Sequence, residues 1–250
     1  MFFGNNLGEI FLFPVRDAEA RKQFMIGALI SLAAFIIPIV PYLVLFGYAA
    51  RIVRQVFNDQ PPRMVAWDDW GGMLKDGARM FGVRMVYSIP ILILTIPLMM
   101  AAIAMPFIME NANGAEADSI FMIFTLVMTG TLCLLVPISL PLAVIIPAAE
   151  MHAVEKEQFS AGFLVREWWA IFRANTGGFI AAFGVYFIAT MVLSFAFQII
   201  MATLILACLL PILMPALTIY LTLIMYVPIA QAYKDGKGKL AQIKLIPQPA

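Results

Sequence analysis

Arg51 and Arg54 lie three residues apart, and a short run downstream supplies Trp67, Asp68, Asp69, Trp70, Asp76 and Gly77. Two guanidinium groups at that spacing share one helical face. They suit carboxylates or phosphates, which their planar donors grip two at a time. The three aspartates are the nearest partners in sequence. Near a headgroup layer such pairs hold a loop against a helical bundle, and the two tryptophans, also three apart, suit an interfacial belt. Pro61-Pro62 separates the flanking helices, and Gly71-Gly72 permits a tight turn. The other task open to the same arginines is recognition of an anionic lipid or a protein partner. Catalysis is not expected, because no nucleophile stands beside a base.

Other reactive side chains are sparse. His152, the single histidine, can share a helical face with Glu155. A metal site needs further ligands at matching spacing, so the sequence predicts an exposed interfacial histidine and no metal. Cys133 and Cys208 sit in apolar stretches, which predicts small buried thiols and neither disulfide nor zinc. Trp168-Trp169 with Arg166 and Arg173 reads as a second interfacial anchor. No glycine-rich phosphate loop is present, and no cofactor is expected.

The elements that position these residues follow from composition. Of the 250 residues, 63% are hydrophobic and 12% charged, against roughly 45–50% and 25% in a soluble domain. All charges fall outside four runs, 24–50, 85–109, 120–149 and 179–233. A hydrocarbon core of about 30 Å takes ~20 helical residues. The first three runs suffice for one crossing each. The fourth, 55 residues long, is expected to be two helices joined by an apolar turn near 203–211, with Pro211 as a helix start. The fold class is therefore all-α: a polytopic integral membrane bundle with about five apolar segments, the first either crossing or re-entrant, plus interfacial amphipathic helices. Residues 9–22 suit a peripheral helix beginning at Pro14 or just after, with apolar anchors at Ile10 to Phe13. The N-terminus lacks the basic opening of a secretory signal.

Lys and Arg set the expected orientation. Segment 51–84 carries six basic residues, 110–119 none, 150–178 three and 234–250 four. Hence 51–84, 150–178 and the C-terminus are expected on the cytoplasmic side of a cell membrane. Arg16, Arg21 and Lys22 give the N-terminus the same character, which five full crossings would contradict. The Pro38-x-x-Pro41 break permits a first segment that enters and returns, provided protein covers it. Both readings stand at this point.

A shift of 99 residues superposes Pro38-Ile39 on Pro137-Ile138, Ala49-Ala50 on Ala148-Ala149, Trp70 on Trp169 and Val86-Tyr87 on Val185-Tyr186. This predicts a single membrane domain over 1–250 with a parallel internal repeat, 24–109 and 120–206, and a fifth span, 207–233. A weaker third echo is Pro228-Ile229-Ala230.

Phe13-Pro14 with Asp17, Lys22 and Gly27, then Gly47-Tyr48-x-x-Arg51-x-x-Arg54, then Asp69-Trp70-Gly71 leading to Asp76-Gly77 resemble an uncharacterised family of bacterial and archaeal polytopic membrane proteins, domain of unknown function 4013. The resemblance covers about 13–90 closely and the remainder as hydropathy. It implies a multi-span fold and no assigned activity.

The spans hold no ionisable group of the kind that proton relays and ion-coupled transporters use. Hydroxyls and Gln198 suffice for contacts between helices, and Gln198 is expected to face protein. The expected function is a non-enzymatic accessory or scaffold subunit packing against other membrane proteins and membrane lipids. The alternative is a small permease or lipid-handling protein with a polar cavity lined by Thr190, Ser194 and Gln198. A net charge of +1 gives no basic field for nucleic acid.

Overall fold

The computed structural model describes residues 7–203 and 208–245. Helices α1 (Leu7–Leu12), α2 (Ala18–Leu32), α3 (Val40–Phe57), α4 (Trp70–Asn111), α5 (Ala115–Lys156), α6 (Val165–Ala174), α7 (Thr176–Ala202) and α8 (Leu210–Leu245) follow in order. No strand occurs among the described residues. Four helices, α4, α5, α7 and α8, are long and apolar enough to cross a membrane. The chain is an all-α polytopic membrane protein.

The first apolar run is not one helix. It stops at Leu32, passes through a 3-10 turn at Ala33–Phe35, and resumes at Val40. Pro38 and Pro41 account for the break: each lacks an N–H and disfavours helix in the residue before it. The peripheral helix starts later than Pro14. A 3-10 turn covers Phe13–Val15, and Asp17 caps α2 by accepting from the Ala20 N–H at 2.7 Å. Pro211 lies in the first turn of α8, as expected of a helix start. The turn predicted at 203–211 falls partly on 204–207, outside the described residues. The expected 110–119 loop shrinks to three residues, closed by Gly114 at φ +50°.

The chain divides into two compact units, residues 1–84 with 146–250, and residues 85–145. In the first, α8 is the hub against which α2, α3, α6 and α7 pack. Its core includes Tyr48, Met73, Met80, Met151, Phe179, Ile224, Tyr226 and Tyr233. Asn175 joins α6 to α7 and ties both to α8: its amide donates to the Ala232 carbonyl at 2.8 Å and accepts from Lys239 at 2.6 Å. The second unit comprises the distal part of α4, the turn and the first part of α5. Its large apolar side chains, Ile93, Met100, Phe107, Met122 and Leu126 among them, are mostly exposed. Hydrocarbon is the solvent that such a surface requires.

Candidate functional site

The second half of α3 and the start of α4 carry the residues singled out in the sequence. They meet because two glycines remove the side chains between the helices. A Cβ at Gly47 would collide with the Met73 carbonyl, and one at Gly77 with the Leu43 carbonyl. Backbone therefore rests on backbone, and the arginines of α3 reach the aspartates around the start of α4.

Arg54 grips Asp76 with two bonds, 2.5 and 2.9 Å, and Arg79 adds a third at 2.9 Å. Glu157 stands 3.5 Å from the same guanidinium. Hydrogen bonding to Asp76, together with its charge and that of Glu157, holds the Arg54 pKa above its ordinary value against the opposing effect of burial. Arg51 pairs with Asp69 and lies 3.7 Å from Asp68. The Gly72 N–H donates to Asp69 at 2.9 Å. That bond, then the Arg51 pair, keeps the Asp69 carboxyl below the usual carboxylate range.

Trp67 is not an interfacial anchor. It is buried, stacks on Tyr48 at 3.9 Å between ring centres, and donates its indole N–H to the Gln23 carbonyl at 2.9 Å. The Tyr48 hydroxyl in turn donates to the Val65 carbonyl and accepts from the Val65 N–H. Trp70 remains exposed. All eight singled-out residues are thus in one neighbourhood, and their charges close on one another.

Two polar knots were missed. Arg84 meets the fully buried Glu150 at 2.5 and 3.1 Å, Tyr226 donates to Glu150 at 2.8 Å, and the guanidinium lies over the rings of Phe46 and Tyr226. One signal was available: Arg84 is the last charge before the run 85–109, and Glu150 the first after 120–149. Charges bounding an antiparallel helix pair at one side meet at the same depth. The second knot contains His152, which is buried rather than exposed. Its ring lies 2.6 Å from the Tyr233 hydroxyl and 3.2 Å from Glu167, and Tyr233 donates to Glu155 at 2.8 Å. No set of His, Cys, Asp and Glu able to hold a metal occurs among the described residues.

Two further expectations fail. Cys133 and Cys208 are exposed on this chain: Cys133 lies on an outward face of α5, and Cys208 in the turn before α8. Gln198 is also exposed; it lies four residues from the end of α7, where an amide is near the edge of the hydrocarbon. The groove containing Thr190 and Ser194 is small, about 230 Å³, and is otherwise lined by Thr218 and by apolar groups such as Leu193, Phe197 and Met214, without Gln198. Thr190 and Thr218 spend their hydroxyls on their own helices.

Long apolar helices joined by closed polar knots define a multi-span membrane protein. The chain belongs to the family described as protein of unknown function DUF4013, whose sequence model matches residues 30–206. The match begins after Phe13-Pro14 and Gly27 and extends far past residue 90. No curated protein and no solved structure matches the chain.

Proposed function

We propose that this chain is a non-enzymatic accessory or scaffold subunit of the cell membrane that packs against other membrane proteins. The observation that carries this reading is the closure of its ion pairs. Arg51, Arg54, Arg79 and Arg84 are each matched to carboxylates of the same chain, so the groups best suited to chemistry do holding work instead. The surface offered to a partner is the apolar face of 85–145. There Thr125, Thr129 and Cys133, exposed at steps of four on α5, allow close approach of another helix.

The orientation that agrees with this reading puts 51–84, 150–178 and the C-terminus in the cytoplasm, with the first apolar run re-entrant. Phe13, Arg16 and Ala20 line one cavity with Pro62, Arg63 and Met64, which supports placing the N-terminus beside the 51–84 segment. Duplication of 24–109 and 120–206 is supported by burial. Gly47–Ala50 and Ile146–Ala149 are buried at the 99-residue offset, and α3 and α5 end 99 residues apart. The copies differ at Pro38 and Pro137, since only the first interrupts its helix.

Native membranes solubilised in mild detergent after chemical cross-linking test the role. A stoichiometric protein that stays with the wild type and is lost from Thr129→Phe supports a scaffold. A chain that purifies alone, with a bound small molecule, overturns it in favour of a permease or lipid-handling protein.

A further inference from the structure

The cations of the α3–α4 site are spent, but Arg166 at the start of α6 pairs with no carboxylate among the described residues. A cleft of about 510 Å³ lies between the last turn of α5, the first half of α6 and the end of α8, and His152, Glu155, Lys156, Arg166, Glu167 and Lys237 supply its charged lining. We propose that this cleft binds a phosphate group, and that an anionic phospholipid headgroup is its source.

His152 lines the cleft, and Tyr233 backs it from behind. Tyr233 is fully buried and His152 is 2% exposed. Tyr233 has one hydroxyl hydrogen, and Glu155 takes it at 2.8 Å. The contact between Tyr233 and Nδ1 of His152, 2.6 Å, therefore requires the proton on Nδ1. Nε2 faces the Glu167 carboxylate at 3.2 Å, acceptor against acceptor unless the ring carries a second proton. The ring thus offers a hydrogen to the cleft only as imidazolium. In either state cations outnumber carboxylates. Lys156, Arg166 and Lys237 face Glu155 and Glu167, and Glu155 is held by Lys237 and Tyr233. Lys156 reaches Glu167 only at 3.9 Å. Arg166 pairs with no carboxylate among the described residues. It belongs to the first turn of α6, whose N-terminus has no side-chain cap, so the positive end of that helix adds to the same field.

Depth favours lipid as the source. The uncharged runs of α5 and α8 end at Ala149 and Tyr233. Lys156 and Lys237 follow by seven and four residues, which is roughly 10 and 6 Å of helix. The headgroup layer occupies about 5–8 Å beyond the hydrocarbon on each side, which places Lys237 within it and Lys156 at its outer edge. Beside Arg166, Leu164, Val165 and Trp169 are 47%, 49% and 37% exposed, as expected of a helix lying in the interface.

The test is native mass spectrometry of the full chain released from nanodiscs holding equal phosphatidylglycerol and phosphatidylcholine. Wild type is expected to retain phosphatidylglycerol selectively. Arg166→Gln and Lys156→Gln should each lower that retention about fivefold, the weight of one basic side chain at a charged interface. Arg173→Gln, an exposed arginine of the same helix that does not line the cleft, should leave it unchanged. Both arginine variants remove exposed charges, so folding is preserved. A parallel melting measurement adds inorganic phosphate. If phosphate raises the midpoint of wild type but not of Arg166→Gln, while the two lipids are retained alike, the phosphate site stands and lipid is overturned as its source. Equal retention by Arg166→Gln and Arg173→Gln, with no response to phosphate, overturns the proposal.

Discussion

At the scale of single residues, the strongest constraint is Glu150. It is fully buried, and among the described residues only Arg84 pairs with its charge. Arg84→Met should therefore lose about 3–5 kcal/mol, the cost of stranding one partner of a buried pair, and Arg84→Met with Glu150→Leu should recover part of that. Thermal unfolding in detergent reads both. A double variant no more stable than the single one would mean that the pair does more than neutralise itself. Asp76, held by Arg54 and Arg79 and almost covered, should cost about 1.5–3 kcal/mol as Asn, because charge-assisted bonds are lost. Asp69 differs, being exposed. Its carboxyl is held below the usual range by Gly72 and Arg51, so its contribution is complete above the unfolded value of about 4. It is lost only as pH falls through the lower folded value. Melting curves of wild type and Asp69→Asn should therefore differ by a constant from pH 8 to pH 5 and converge in stronger acid. A difference that shrinks at pH 6–7 would implicate another group.

At the scale of elements, the contact between α3 and α4 depends on missing side chains. Gly47 and Gly77 each lie against a carbonyl of the other helix, whereas Gly71 faces open space. Gly77→Ala should cost at least about 1–3 kcal/mol by overpacking. Gly71→Ala should be neutral or gain about 0.4–1 kcal/mol through the unfolded chain. Equal melting midpoints for the two variants would mean that the helices are not in backbone contact. The same elements show why some of the fold was legible in sequence and some was not. Charge exclusion marks the spans because hydrocarbon penalises any ionised group, and one sequence suffices to see it. The pairing of Arg51 and Arg54 with downstream aspartates was legible from helical spacing. The burial of Trp67 was not, because its cover comes from Tyr48 and Gln23 on two other helices. His152 was misjudged for the same reason: Tyr233, 81 residues away, closes over it. The expected basic tail after 233 is instead a continuation of α8, with Gly236 resting against the Ile171 carbonyl.

At the scale of the whole molecule, the first apolar run decides the topology. α2 and α3 both lie along α8 and run in opposite directions. Phe24 and Gly27 meet Tyr220 and Ile219, and Ser31 and Tyr42 share a cavity with Met214 and Thr218. Phe46 then reaches Tyr226, and Phe57 reaches Tyr233. The run thus turns at Ile36–Ile39 and goes back the way it came. That turn exposes Phe35, Ile36, Ile37, Ile39 and Val40, a tip suited to hydrocarbon and costly in water. At 15 and 18 residues the two arms are about 22 and 27 Å long, short of the ~30 Å core. A chain with this re-entrant pair and four crossings keeps its basic N-terminal segment on the side of its other basic segments. In a variant with Cys133 and Cys208 replaced by Ala, single cysteines at Arg16→Cys and Arg63→Cys should react with an impermeant maleimide only in inverted vesicles. Asn113→Cys should react only in right-side-out vesicles. Should Arg16→Cys react with Asn113→Cys and against Arg63→Cys, the first run crosses completely, and the packing of α2 beside Trp67 could not exist in the membrane.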